Sequence, residues 1–357
     1  MAARKKAAQK ARERKERIRK EKHSYRSLPE AVKQAMEHPE ILDLVTEIPG
    51  DTEVEAAPPP MPPGQEFAAE RLSRRMHGLM EGKHFQSIDE ANAELERLRE
   101  SGALDPQDDQ PWEMDDKERA QEYAYRAMEA ESLDEIRRWS KRALELDPEN
   151  VDALRSQALA CSPDRAVRLA EMRKVCEKAE FLLGLERFER DKGHFYGILE
   201  TRPYMRALEE LAQMLDLEGR KLEAIQIRER MLELNSNDNQ GVRYLLLGAY
   251  LEAGALEKAE ALLEQFPKDV GAAFLWGKVL AEVLRGNEAE AAKALQEARR
   301  WNPHAEKYFS GRKPRPRVEF TSYRFGDETE AQVCAAEIGP AWDKYQNARQ
   351  WLRSQGP

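Results

Sequence analysis

Apolar residues along this chain recur every three or four positions, the interval at which side chains share one face of a helix. In EFAAERLSRRMHGLMEGK, residues 66–83, Phe67, Leu72, Met76 and Leu79 fall on or near one face. SIDEANAELERLRESGAL, residues 87–104, places Ile88, Ala91, Leu95 and Leu98 at the same spacing. Ser87 with Glu90 three residues on has the spacing of a capping box, and Gly102 suits a helix end. Met205, Leu208, Leu211, Ala212 and Leu215 mark the buried face of a later helix. Pro203 belongs in its first turn, where a missing N–H costs nothing.

The pattern breaks at GDTEVEAAPPPMPPGQ, residues 50–65, where five prolines remove the backbone donor. This stretch reads as an extended, semi-rigid linker. DPQDDQPWEMDD, residues 105–116, reads as a loop. The expected organisation is a basic arm and linker over 1–64, a helical hairpin over 65–108 that caps the following core, a repeat array over 115–310, and an extended loop with a C-terminal capping helix over 311–357.

The array is defined by a period near 34. RKLEAIQIRERMLELNSND and GALEKAEALLEQFPKD align Gly219 with Gly254 and Ala224 with Ala259. GNEAEAAKALQEARRWNP repeats the scheme with Gly286, Ala291, Ala298 and Pro303. An earlier copy, DEIRRWSKRALELDPEN, carries Ala143 and Pro148, and residues 151–184 read as two further helices. Alanine where helices cross lets backbones approach, glycine between helices accepts positive φ, and proline ends the second helix. These positions resemble tetratricopeptide repeats. The resemblance implies an all-α solenoid in which stacked helix pairs share a core and present a groove to a peptide or partner protein.

A further resemblance lies in WNPHAEKYFSGRKPRP and GDETEAQVCAAEIGPAWDKYQNARQWL. The residues concerned are Asn302, Pro303, His304, Lys307 and Tyr308, then Gly326, Asp327, Glu330, Ala331, Trp342, Ala348 and Leu352. In these elements the chain resembles the suppressor-of-tumorigenicity-7-like family. Over about Glu118 to Leu352 it also resembles a group of uncharacterised bacterial repeat proteins. Both resemblances imply a helical-repeat fold and protein interaction. Tetratricopeptide proteins that bind chaperone tails carry lysine and asparagine at set positions of a first helix. Here those positions hold Glu209 and Gln213, Tyr244 and Gly248, Trp276 and Leu280, so that two-carboxylate clamp is not expected.

Composition sharpens this picture. The chain has 357 residues, 41% hydrophobic and 35% charged, enough to bury a core. Its net charge is −9, yet residues 1–24 carry +8, leaving −17 for the remainder. An acidic body does not suit a phosphate backbone, so any nucleic-acid or ribosome contact falls to the arm. Cys161, Cys176 and Cys334 have no CxxC spacing and read as reduced thiols of a cytoplasmic protein. No apolar run approaches the length of a membrane span, and the N-terminus lacks the apolar region of a secretory signal.

GHFYGILETRPYMRALEEL, residues 193–211, concentrates aromatics and arginines. Phe195, Ile198 and Leu199 read as filler between helical layers. Tyr196, Arg202 and Arg206 are the candidate binding residues there, together with Asn239, Arg243 and Trp276 further along. Two versions stay open for the arginines. Either Arg202 or Arg206 pairs internally with Glu200 or Glu209, or the guanidinium forks grip an acidic peptide or anion. The asparagines of NSNDNQG either cap helices or bond a bound peptide backbone. GRKPRPRVEF, residues 311–320, packs along the last repeat or touches an anionic partner.

The six histidines form no HExxH, and there is no GxSxG, phosphate loop or cysteine pair. No metal, cofactor or catalytic residue is expected. The leading expectation is a non-catalytic scaffold or adaptor. An RNA- or ribosome-associated factor acting through residues 1–24 is the alternative, and an enzyme built on His194 with Glu200 is the third.

Overall fold

The computed structural model describes residues 67–80, 82–103, 114–317 and 323–356. The arm and linker, residues 105–113 of the loop, and residues 318–320 lie outside the described residues. Every regular element among those described is a helix. In order they are α1 (Ala68–Met80), α2 (Ile88–Glu100), α3 (Asp116–Met128), α4 (Leu133–Leu146), α5 (Val151–Ala160) and α6 (Arg165–Arg190). There follow α7 (Arg202–Leu217), α8 (Lys221–Leu234), α9 (Val242–Ala253), α10 (Leu256–Gln265), α11 (Ala272–Arg285) and α12 (Glu288–Trp301). The chain ends with α13 (Glu306–Phe309), α14 (Glu328–Glu337), α15 (Gly339–Lys344) and α16 (Gln346–Ser354).

Local chemistry sets the helix ends. Ser87, Asp115, Ser132, Asn150, Asp164 and Asp327 each accept a hydrogen bond from a backbone N–H of the helix they start. Asp115 and Glu118 complete a reciprocal capping box. Gly254 and Gly286 end α9 and α11 with φ of 81° and 78°, left-handed values that a side chain resists. Gly219, aligned with them, has φ 72°. α6 breaks at the expected end, Gly184, whose φ of 70° and ψ of 154° are not helical, and a second helical stretch continues from there to Arg190.

From α3 to α12 each helix packs on the next in chain order, and α3 with α5, α5 with α7, and α9 with α11 also pack together. The helices therefore pack in consecutive pairs, α3–α4 to α11–α12, with first members in contact from α3 to α7 and again from α9 to α11, and α8 against α9 between them. Ala143, Ala224, Ala259, Ala291 and Ala298 are all fully buried, which is what close helix crossings require. Met205, Leu208, Leu211, Ala212 and Leu215 of α7 are buried as their spacing predicts. Phe195 is fully enclosed, 5.0 Å from Phe188 and 6.3 Å from Tyr204 between ring centroids, while Ile198 and Leu199 are only half-buried.

The single capping helix expected within 311–357 is corrected to three, α14 to α16. Pro340, in the first turn of α15, cannot donate to the preceding turn and breaks the run after Ile338. These helices do not merely close the end of the stack. α14 and α15 lie against α9, and α14 and α16 against α11. Ile338, Ala341 and Trp342 are wholly buried, with Trp342 stacked on Phe309 at 5.3 Å. Asn302, Asp327 and Glu330 hold this extension in place. Asn302 Nδ2 donates to Glu330 Oε2 (2.8 Å) and to the Asp327 carbonyl (3.0 Å). Glu330 also accepts from the backbone N–H groups of Ala272 (2.9 Å) and Gly326 (2.7 Å).

Candidate protein-interaction face

The first helices turn different residues toward their second helices and away from them. In α9, Tyr250 reaches Glu229 of α8 (2.7 Å), whereas Gly248 lies against the backbone of Glu337 and Ile338. In α7 the apolar stripe is buried between helices, while Arg202 and Arg206 reach Glu70 of α1. The chain thus covers two parts of this face itself, with α1 over α7 and α14–α15 over α9.

Arg206 is only 9% exposed and shares its guanidinium between two carboxylates. Nε and Nη2 donate to Asp152 of α5 at 2.9 and 2.5 Å. Nη1 and Nη2 donate to Glu70 at 2.9 and 3.2 Å. Tyr125 of α3 donates its hydroxyl to Glu70 (2.7 Å), and Arg202 adds a contact at 3.3 Å. Gln121 and Asn150 extend the network behind Asp152. Burial alone pushes both carboxyls up, but Arg206 outweighs it and holds Asp152 and Glu70 below their usual values. Of the two sequence alternatives for the arginines, internal pairing is what the structure contains, with Glu70 and Asp152 in place of Glu200 and Glu209. Glu200 is exposed and lies 3.7 Å from Arg187, and His194 precedes the short 3-10 turn Phe195–Gly197.

Arg243 centres a second cluster. Its Nε donates to Asp269 (2.6 Å), its Nη1 to Asp238 (2.9 Å) and its Nη2 to the Tyr244 hydroxyl (2.7 Å), with the guanidinium 4.3 Å from the Tyr244 ring centre. Asp238 adopts φ 49°, one residue before Asn239, and its carboxylate caps Val242 and Arg243. Burial raises the Asp238 carboxyl despite these bonds. The cap is therefore an aspartate, and Asn239 beside it is exposed.

Trp276 is a correction. It was expected on the binding surface, but it is 0% exposed, with Nε1 donating to the Asn302 carbonyl at 3.1 Å. The reason is the C-terminal extension, which packs on α11 and encloses its first-helix face. Arg206 is likewise buried under α1 and is no free groove residue. Tyr196 remains half-buried beneath Arg202, whose guanidinium is 5.4 Å from its ring.

Between the two clusters runs a polar track that the sequence reading only partly named. Arg155 of α5 lies 3.3 Å from Glu210 of α7, and Gln240 donates to Glu209 at 2.8 Å. Burial pushes the Glu209 carboxyl above its usual value. Arg155 Nε and Gln240 Oε1 are buried and have no hydrogen-bond partner. Gln213, exposed, continues the Arg202–Arg206–Glu209 stripe at helical spacing. Arg155, Glu210, Asp152 and Glu70 were absent from the sequence-based site. The signal for Glu70 was present in the spacing of Phe67, Glu70, Arg71 and Arg74, which places all four on one helix face.

Among the described residues no helix is long and apolar enough to cross a membrane, and no group of three or more His, Cys, Asp or Glu is placed to hold a metal. Compared with family models and with curated proteins, the chain finds no match in either.

Proposed function

We propose that this chain is a non-catalytic protein-interaction scaffold of tetratricopeptide type, a solenoid whose first helices offer a polar track to a peptide or partner protein. The observation that carries this reading is the track itself. Arg155 of α5 meets Glu210 of α7, Gln240 in the turn before α9 meets Glu209 of α7, and Gln213 and Asn239 leave exposed polar groups beside them, in the interval between α1 and α14. An extended peptide offers backbone donors and acceptors to such exposed polar side chains. The resemblance to tetratricopeptide repeats supports the same reading, as does the register of Gly219, Gly254 and Gly286 with the buried alanines.

Position-specific crosslinking tests it. A photoreactive side chain at Gln213 or Asn239, both exposed, is expected to capture a discrete partner in cell extract. The same group at Gln296 of α12, also exposed, is expected to capture none. Equal capture from all three positions, or capture from Gln296 alone, rejects this face as the partner site.

The +8 charge over residues 1–24 against −17 elsewhere favours a second reading, an arm that contacts RNA. Deleting the arm is then expected to abolish a salt-sensitive retention on RNA. Retention that is unchanged by the deletion and by salt removes this reading.

A further inference from the structure

α1 is attached to the body in an unusual way for a helix of a packed core. Only Glu70 and Met80 of its thirteen residues are buried, against nine of sixteen in α7. One stripe, Phe67, Glu70, Arg71 and Arg74, spaced i, i+3, i+4 and i+7, makes ring, ion-pair and hydrogen-bond contacts with the helices it covers. Phe67 stacks on Tyr125 with centroids 5.1 Å apart. Glu70 enters the pocket of Arg206, Arg202 and the Tyr125 hydroxyl. Arg71 forks onto Glu122 of α3 (2.9 Å) and Glu129 at its C-cap (2.6 Å). Arg74 donates to the Tyr125 hydroxyl (2.7 Å) and the Leu199 carbonyl (3.2 Å).

Each of the four members of the stripe meets its complement: ring on ring for Phe67, carboxylate on guanidinium for Glu70, guanidinium on carboxylates for Arg71, and guanidinium on hydroxyl and carbonyl oxygens for Arg74. We infer that α1 is a built-in occupant of a helix-recognition surface on α3 and α7, and that this surface takes a partner helix bearing Phe-x-x-Glu-Arg-x-x-Arg in place of α1. The inference rests on the interaction-scaffold reading and specifies the class of partner. Exchange is physically accessible because the docking is mostly polar. Partly exposed ion pairs add little net stability, and a buried pair repays its desolvation only in good geometry, so its main effect is to select the matching helix. α1 holds the site through its tether, which gives it a high local concentration that a partner must overcome.

The test uses the full chain and a labelled peptide of residues 66–80, EFAAERLSRRMHGLM, followed by fluorescence anisotropy. In one chain Arg71→Ala and Arg74→Ala remove the partly exposed anchors of α1 while leaving Arg206 paired with Asp152. The peptide is expected to bind this variant at least about tenfold more tightly than it binds the unaltered chain, whose site is filled. A peptide with Glu70→Gln is expected to lose roughly tenfold in affinity for the variant, the scale of one hydrogen bond to a charged group. Equal binding to both chains overturns the inference. So does undiminished binding of the Gln peptide, or no binding by a variant whose melting matches the unaltered chain. A dimer of the unaltered chain that Glu70→Gln converts to monomers also overturns it, because the occupant is then α1 of a second copy. Crosslinking from Gln213 and Asn239 reads the parent proposal separately, so loss of peptide binding with capture intact rejects the helix motif alone.

Discussion

Arg206 and Asp152 form a side-on, two-bond pair inside the protein, with Nε 2.9 Å from Oδ1 and Nη2 2.5 Å from Oδ2. Asp152 is fully buried and Arg206 nearly so. The pair ties α7 to α5 across a layer boundary, and Glu70 completes the guanidinium's set of acceptors.

Arg206→Ala is therefore expected to act on folding first. It leaves Asp152 charged, buried and without its main partner, a loss of about 3–5 kcal/mol for broken buried pairs. Chemical denaturation of the variant checks this, and a midpoint within error of the unaltered chain refutes it. Arg206→Lys is expected to recover only part of the loss, because one ammonium cannot serve both carboxylates in the plane of the fork.

Acid acts on the same cluster. Asp152 and Glu70 have folded pKa values lowered from their unfolded values. Their contribution is therefore present above the unfolded carboxylate range, about pH 4, and is lost as pH falls through the lower folded values. Melting between pH 6 and pH 2 is expected to show a steep acid limb that Glu70→Gln makes shallower. A limb of unchanged steepness in that variant contradicts the assignment.

Glu337 gives the opposite sign. Burial, with Glu330 nearby, pushes its carboxyl up to about 8, Arg243 opposing and Asp269 adding to the rise. A raised acid favours the folded state below the unfolded pKa and loses that contribution as pH rises through about 8. Stability is expected to fall by up to about 1.4 kcal/mol per pH unit within that window. Glu337→Gln is expected to flatten the decline and to melt higher at pH 8. A decline of equal slope in the variant removes Glu337 as its source.

Gly248 sits inside α9, where alanine by helix propensity alone would stabilise by roughly 0.5–1 kcal/mol. Here an added methyl overlaps the carbonyl oxygen of Glu337, which is backbone and cannot swing aside. Gly248→Ala is expected to destabilise by about 1–3 kcal/mol, as overpacking does. Faster amide exchange in α14 and α15 is the accompanying readout. A gain in stability would mean that α14 does not seat against α9.

Glu330 accepts three bonds, from Ala272, Gly326 and Asn302, that join the start of α11 to the C-terminal extension. Glu330→Gln keeps the shape but turns an amide NH2 toward a donor, at a cost of about 1–3 kcal/mol for a group left unsatisfied. Faster exchange at the Ala272 and Gly326 amides checks it. Unaltered protection at both would place their bonds elsewhere.

Much of the helical fold was readable in the chain because its causes are local. The capping of α2 by Ser87, the left-handed glycines and the buried alanines depend on residues a turn or one helix pair away. Even the fate of Pro203 followed from its own missing donor. The site was less readable. Arg206 beside Tyr204 has the same local composition whether it faces solvent or a carboxylate 136 positions away. Asp152, in the first turn of α5, looked like an ordinary helix-start acid.

Periodicity and turn chemistry, then, determined that this chain forms helices, where most of them begin and end, and which of their faces turn inward. Those properties are set by neighbours in sequence. Tertiary structure decided what covers the remaining face. It put α1 on Arg206 and drew α14 to α16 over α9 and α11, enclosing Trp276. Whether a side chain on that face is a contact or a core residue depends on segments distant in sequence that share no local pattern with it, and burial exists only once they have packed.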